Sequence, residues 1–232
     1  MISSKNSDIA PVKLTFFGDS TCVGQGVSIY QGWVTKIAKY FHEYGQKLNR
    51  EILVSNCSIN GRTSRQALED MPYHIQSNGV DILVVQFGLN DCNYWATDRG
   101  LPRVSMAGFI ENLREIISRG ERFGAYRILL NNNHPTSRNK EIIAGTSMTY
   151  EDSNESYNAA IRKLAADLPP FISFQDVEFF FKEKINEQQP VEKFLLSDGL
   201  HPSVAGHEQY FQLMCPIIQD AVDAVLLAKS GV

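Results

Sequence analysis

Cysteine is scarce in this chain: Cys22, Cys57, Cys92 and Cys215 are the only four in 232 residues. None stands at the two-to-four-residue spacing that thiolate zinc sites use, so the four read as reduced and mostly buried, Cys22 as a small packing residue. Runs of positive charge are lacking too. Twenty-two Lys and Arg are dispersed against 26 Asp and Glu, for a formal net charge of -4, which leaves no phosphate-neutralising footprint and argues against nucleic acid as a partner. No window of about eighteen apolar residues is found, and no membrane span is expected. Residues 1–10 are polar, carry Lys5 and Asp8, and lack the apolar core of a secretory signal, so a cytoplasmic location is expected. His42, His74 and His207 fall in predicted helices without a two-histidine spacing, and Gly24-Gln25-Gly26 lacks the third glycine and the acidic partner of a dinucleotide fingerprint. Neither a metal nor a cofactor is expected. Repeats, low-complexity segments and Pro/Gly/Ser-rich linkers are also missing, so residues 1–232 are expected to form a single domain.

What is present has the balance of a packed protein, with 43% hydrophobic and 21% charged residues. Short apolar runs alternate with longer amphipathic stretches, the rhythm of βα units around a parallel sheet, so the expected class is α/β. Strands are predicted at 13–17, 52–56, 82–87, 127–131 and 171–174. Their nearly continuous apolar character suits a sheet covered by helices on both faces. Trp33, Ile37, Tyr40, Phe41, Tyr44 and Leu48 form one stripe along a helix over about 32–48. Thr63 with Gln66 fits a capping box that opens a second helix. Phe109, Leu113, Ile116 and Ile117 mark a third helix. Asn158, Ile161 and the run 164–168 mark a fourth, ended by Pro169 and Pro170. A last helix starts at Ser203, a good N-cap, and runs past Val225. The longest irregular stretches, 91–105 and 131–152, are polar and long enough to be lids or binding loops.

Three groups of residues carry chemistry. Gly18-Asp19-Ser20-Thr21-Cys22-Val23-Gly24 follows the first strand, so Ser20 stands at the carboxyl end of a parallel strand, where open sheets place their ligand crevice. Near the other end, Asp198-Gly199-Leu200-His201-Pro202 sets a carboxylate and an imidazole three residues apart on a tight loop. That pair is what a serine nucleophile needs: His201 to take the hydroxyl proton, Asp198 to hold the tautomer and stabilise the imidazolium. Asn60-Gly61-Arg62-Thr63 and Gly88-Leu89-Asn90-Asp91, after the second and third strands, offer a backbone N–H at Gly61 and a side-chain amide at Asn90 to a developing oxyanion.

Ser20, Gly61, Asn90 and His201 occur in the order and flanking patterns of the SGNH (GDSL-like) hydrolases, and the chain resembles that superfamily from its first strand to its last helix. Asn56 and Tyr157-Asn158 fit the pattern as well. Thr21 departs from it, since the namesake motif has Leu there, which puts the subfamily in question and leaves the catalytic blocks intact. The resemblance implies a three-layer α/β/α, flavodoxin-like fold with about five parallel strands ordered 2-1-3-4-5 and an active site at the switch point. It implies esterase or lipase chemistry without a metal: Ser20 as nucleophile and oxyanion donor through its own N–H, Gly61 and Asn90 as the other donors, His201 as base and Asp198 as its partner. The expected reaction is hydrolysis of a small-molecule ester through an acyl-enzyme; acyl transfer or lipase-type cleavage by the same residues is the alternative, ahead of a non-catalytic binding module. Asp19, Tyr94, Trp95 and His134 are candidate substrate contacts: Tyr94 and Trp95 offer a stacking surface, and His134 ends the fourth strand. The polar makeup of the two long loops, with Asn93, Asp98 and Arg99 in one and Asn132, Asn133, His134, Ser137, Arg138 and Asn139 in the other, points to short acyl esters of a polar or sugar alcohol.

Overall fold

In the computed structural model, which describes residues 10–186 and 189–230, five strands join one parallel sheet. The polar stretch 1–9 lies outside the described residues. The strands are β1 (Val12–Gly18), β2 (Ile52–Asn56), β3 (Ile82–Gln86), β4 (Arg127–Asn131) and β5 (Ile172–Gln175), in the spatial order β2-β1-β3-β4-β5. The three central strands are buried almost throughout, whereas β2 at one edge exposes Leu53, Ser55 and Asn56. Continuous apolar character is thus a property of the strands with a neighbour on each side.

Among the described residues, seven α-helices surround the sheet: α1 (Ser20–Val23), α2 (Trp33–Leu48), α3 (Ser64–Met71), α4 (Met106–Arg122), α5 (Tyr150–Ala165), α6 (Val177–Lys184) and α7 (Val204–Lys229). Alternation along the strands sorts the core into two layers. Phe17, Leu83, Val85, Ile128 and Leu130 pack with Met71 of α3, Phe109 and Leu113 of α4 and Ile161 of α5. Leu14, Phe16, Ile82, Val84 and Leu129 point the other way, toward Trp33 and Phe41 of α2, Phe181 of α6 and Tyr210 and Met214 of α7. The result is the expected α/β/α arrangement and strand order.

Local signals act where the sequence placed them. Thr63 and Gln66 form both bonds of the capping box on α3, and Ser203 caps α7 through the Gly206 N–H. The helix α6, capped by Asp176, was not legible in the periodicity, because eight residues give too few turns to establish a stripe. The start of α2 carries no capping side chain of its own; His207, from α7, accepts the Trp33 N–H at 3.4 Å instead.

α7 is long and apolar enough, by length and composition, to cross a membrane, although it holds no run of eighteen consecutive apolar residues. Isolated polar residues break its apolar run without lowering the average over eighteen positions. One of its faces, with Tyr210, Met214, Ile218 and Val222, is buried in the core against the sheet and α2.

Candidate active site

All the motif loops emerge at the carboxyl ends of β1, β2, β3 and β4, and α7 is preceded by the loop that meets them. Ser20 opens α1, with Asp19 as its N-cap accepting the Thr21 N–H at 3.0 Å. From 181 residues away in sequence, His201 brings Nε2 to 3.0 Å from Ser20 Oγ. Its Nδ1 lies 2.5 Å from Asp198 Oδ2. A carboxylate only accepts, so Nδ1 carries the proton and Nε2 is left to accept from the serine hydroxyl. Asp198 Oδ1 in turn accepts the backbone N–H groups of Leu200 and His201 at 2.9 and 3.0 Å. Partial burial works to raise the Asp198 pKa, but these bonds, that from His201 foremost, hold it below the usual carboxylate range.

The two predicted oxyanion loops face the same place. Gly61 has φ +74°, and a Cβ built on it would meet nothing within 4 Å, so the backbone there borders open space. Asn90 Nδ2 donates to Asp19 Oδ2 at 3.2 Å, which aims the amide toward the Ser20 turn. Behind them stands Arg103, which sequence reasoning did not single out. Its Nη1 donates to Gly61 O at 3.0 Å and to Asn90 Oδ1 at 3.3 Å, and its guanidinium stacks 4.5 Å from the Trp95 ring centroid. A second unheralded cation, Arg62, is buried over the Phe17 ring and donates to the carbonyls of Gly18 and Cys57, tying the first two loops together. Asp91 closes the set by accepting the Ser64 N–H and hydroxyl, which fixes the start of α3 to the β3 loop; burial pushes its carboxyl up to about 6. Arginines in loops carry no spacing signal, so only the folded geometry reveals these roles.

The four candidate substrate contacts fall into two pairs. Tyr94 and Trp95 line a cavity of about 620 Å³, together with Arg138, Ile142, Ile143 and Asp198. Asp19 and His134 do not. Asp19 is completely buried, its oxygens taken by Thr21 and Asn90, and desolvation raises its pKa. His134 is also completely buried, between the Tyr210 hydroxyl at 2.7 Å and Leu200 O at 2.8 Å.

Burial extends over the whole segment 131–136, which was expected to belong to a polar lid or binding loop. It is buried because α5 meets it with matching polar groups: Asn158 bonds the main chain of Asn133, Asn154 donates to His134 O, and Glu151 accepts the Thr136 N–H and hydroxyl. Every polar group that found a partner on α5 is lost to a ligand. The cavity wall is accordingly mixed, with Ser137 and Arg138 polar and Ile142, Ile143 and Ala144 apolar. Cys22 and Cys92 are buried and free, and desolvation raises both thiols far above the range where they would react. Glu151 and Glu155 of α5 cluster with Glu178 of α6; Lys182 pairs with Glu155 and Glu178, Arg162 with Glu178, and Glu151 is held by Thr136 and Asn154.

Comparison with known proteins places this geometry among relatives. The model of the GDSL-like lipase/acylhydrolase family matches residues 16–209. An arylesterase of Vibrio mimicus is 23% identical over 193 residues, covering 83% of this chain and 81% of that protein. Among solved structures, the acetylxylan esterase Axe2 from Geobacillus stearothermophilus has a TM-score of 0.71 at 20% identity, with 89% of this chain and 94% of that chain covered. A lipase/acylhydrolase from Enterococcus faecalis has a TM-score of 0.67 at 21% identity, covering 90% and 96%.

Proposed function

Because the chain belongs to the GDSL-like lipase/acylhydrolase family, we propose that it hydrolyses carboxylic esters through an acyl-enzyme formed on Ser20. The observation that carries this reading is the unbroken line from Asp198 Oδ2 through the His201 ring to Ser20 Oγ, at 2.5 and 3.0 Å. As Ser20 Oγ attacks the acyl carbon, its proton passes to His201 Nε2, and Asp198 stabilises the imidazolium. The carbonyl oxygen becomes an oxyanion beside the N–H groups of Ser20 and Gly61 and the Asn90 amide. His201 then gives its proton to the leaving alcohol. Water repeats the sequence on the acyl-enzyme, with His201 as base and Ser20 Oγ as the leaving group, and releases the acid.

The substrate class we favour is a short acyl ester, acetyl among them, of a polar alcohol. Two features support it: the polar side of the cavity, with Ser137 and Arg138 next to Asp198, and the aromatic pair Tyr94 and Trp95, which suits the face of a sugar. The name of the acetylxylan esterase relative points the same way.

A fluorophosphonate probe tests the chemistry, since labelling at Ser20 requires an activated hydroxyl, and an unlabelled serine in folded protein overturns the mechanism. Comparing kcat/KM for acetyl, butyryl, octanoyl and palmitoyl esters of one leaving group tests the substrate class. A maximum at the octanoyl ester or beyond overturns the short-acyl reading.

A further inference from the structure

Three consecutive carbonyls of the triad loop are held by one neighbouring segment. Arg138 Nε donates to Asp198 O at 2.9 Å, the Ser137 N–H to Gly199 O at 3.0 Å, and His134 Nε2 lies 2.8 Å from Leu200 O. The fit is close: at Gly199, with φ +68°, a Cβ would stand 2.5 Å from Ser137 Oγ. The third bond has a property the other two lack. The Leu200 carbonyl and the His201 N–H belong to one planar peptide unit. His134 grips its oxygen, and Asp198 Oδ1 accepts its N–H at 3.0 Å. Rotation of that unit would swing the His201 ring away from Ser20 and Asp198 together.

The tautomer of His134 is dictated by its partners. A carbonyl only accepts, so Nε2 carries the proton and Nδ1 is bare. The Tyr210 hydroxyl, 2.7 Å away, therefore donates to Nδ1 and is free to accept from Gln86 Nε2 at 2.8 Å. Gln86 Oε1 in turn accepts from Asn131 Nδ2 at 3.1 Å. The donors all run one way, from β4 and β3 through Tyr210 of α7 to the peptide ahead of His201. Every member is completely buried, and Tyr210 is stacked on Trp33 at 5.3 Å between centroids. Burial also keeps His134 neutral, its pKa pushed down to about 4.

We infer that His134 is a positioning residue of the catalytic machinery: through the Gln86–Tyr210 relay it locks the Leu200–His201 peptide, and so the imidazole of His201, in register with Ser20 and Asp198. The inference rests on the triad reading above. Its function is geometric, and small displacements of a reacting group can cost up to about a hundredfold in rate.

The test compares His134→Leu, His134→Gln and Tyr210→Phe with wild type and Ser20→Ala. His134→Leu removes the donor; Gln restores an N–H near the position of Nε2. The expected result for His134→Leu is a kcat about tenfold or more lower with KM within about twofold. In proton NMR, the His201 Nδ1–H resonance, far downfield through its bond to Asp198, shifts or broadens. His134→Gln recovers most of the rate. A folded His134→Leu with kcat within about twofold of wild type, an unmoved resonance, or equal impairment of the Leu and Gln variants overturns the inference. If His134→Leu does not fold, Tyr210→Phe decides, because it keeps the stacked ring and removes only the hydroxyl that fixes the tautomer. A fall in kcat of about threefold or more at constant KM supports the relay, and a smaller change overturns it. Residual turnover in Ser20→Ala condemns the triad reading itself; a dead Ser20→Ala beside a fully active His134→Leu condemns only the positioning role.

Discussion

Arg103→Met separates the work of the oxyanion loops from their stability. The guanidinium makes two hydrogen bonds, to Gly61 O at 3.0 Å and Asn90 Oδ1 at 3.3 Å, near the surface of the site. At such exposure the bonds and the Trp95 stacking together stabilise the fold by about 1 kcal/mol, and methionine keeps the aliphatic stem. For a chain of this size that is a fall in Tm of about 2–4 °C. The kinetic effect should be larger in proportion. Removing one oxyanion donor outright lowers kcat by about 10²–10³. Arg103→Met removes no donor, but it frees the two loops that carry Gly61 and Asn90 to move apart. A partial loss of about tenfold in kcat, or about 1.4 kcal/mol, is expected, with KM little changed. The assay is steady-state hydrolysis of an acetyl ester by wild type, Arg103→Met, Asn90→Ala and the double variant. If Arg103 acts through Asn90, the double variant is hardly worse than Asn90→Ala alone. Fully additive losses, or an effect confined to KM, would refute the bridge and move Arg103 to the substrate side of Trp95.

Other outcomes follow from the same geometry. Ser20→Ala is expected to abolish ester hydrolysis with circular dichroism and melting nearly unchanged, and substantial residual turnover would remove Ser20 as nucleophile. Asp198→Asn presents the wrong His201 tautomer and should cost about 10⁴ in kcat, as in the well-studied serine protease triad; a loss below about tenfold excludes Asp198 from the triad. Glu151→Gln probes the buried segment 131–136. Burial pushes the Glu151 carboxyl up to about 7, so the folded state binds a proton that the unfolded chain, with an ordinary carboxylate near 4.5, has released. Its contribution is present below about pH 4.5 and lost as pH rises through 7. Glu151→Gln should therefore be more stable than wild type at pH 8, by roughly 1–3 kcal/mol in urea unfolding, with the advantage fading toward pH 4.5. An advantage that does not vary with pH refutes this account.

Much of this protein was decided by sequence alone. The central strands were visible because burial on both faces demands continuous apolar residues, and α2, α4 and α5 because each buries a stripe at helical spacing. The caps at Thr63 and Ser203 were legible because their bonds reach only three residues. Ser20, Asp198 and His201, which the fold brings together, were candidates from sequence because the proposed chemistry restricts residue type and the short loop restricts the distance between the last two. Tertiary structure decided what depends on partners remote in sequence. Whether Asn132, Asn133 and His134 face a ligand or the interior was settled by α5 and Tyr210, which satisfy their polar groups and so permit burial. The first turn of α2 is capped from 174 residues away by His207, and the apolar length of α7 became a core layer because the sheet covers one of its faces. Arg62 and Arg103 gained their roles only when three loops met, since a guanidinium binds carbonyls wherever the fold presents them and leaves no periodicity to read. Short-range bonds and burial patterns are written along the chain, whereas the pairing of buried polar groups exists only once the fold has brought both members together.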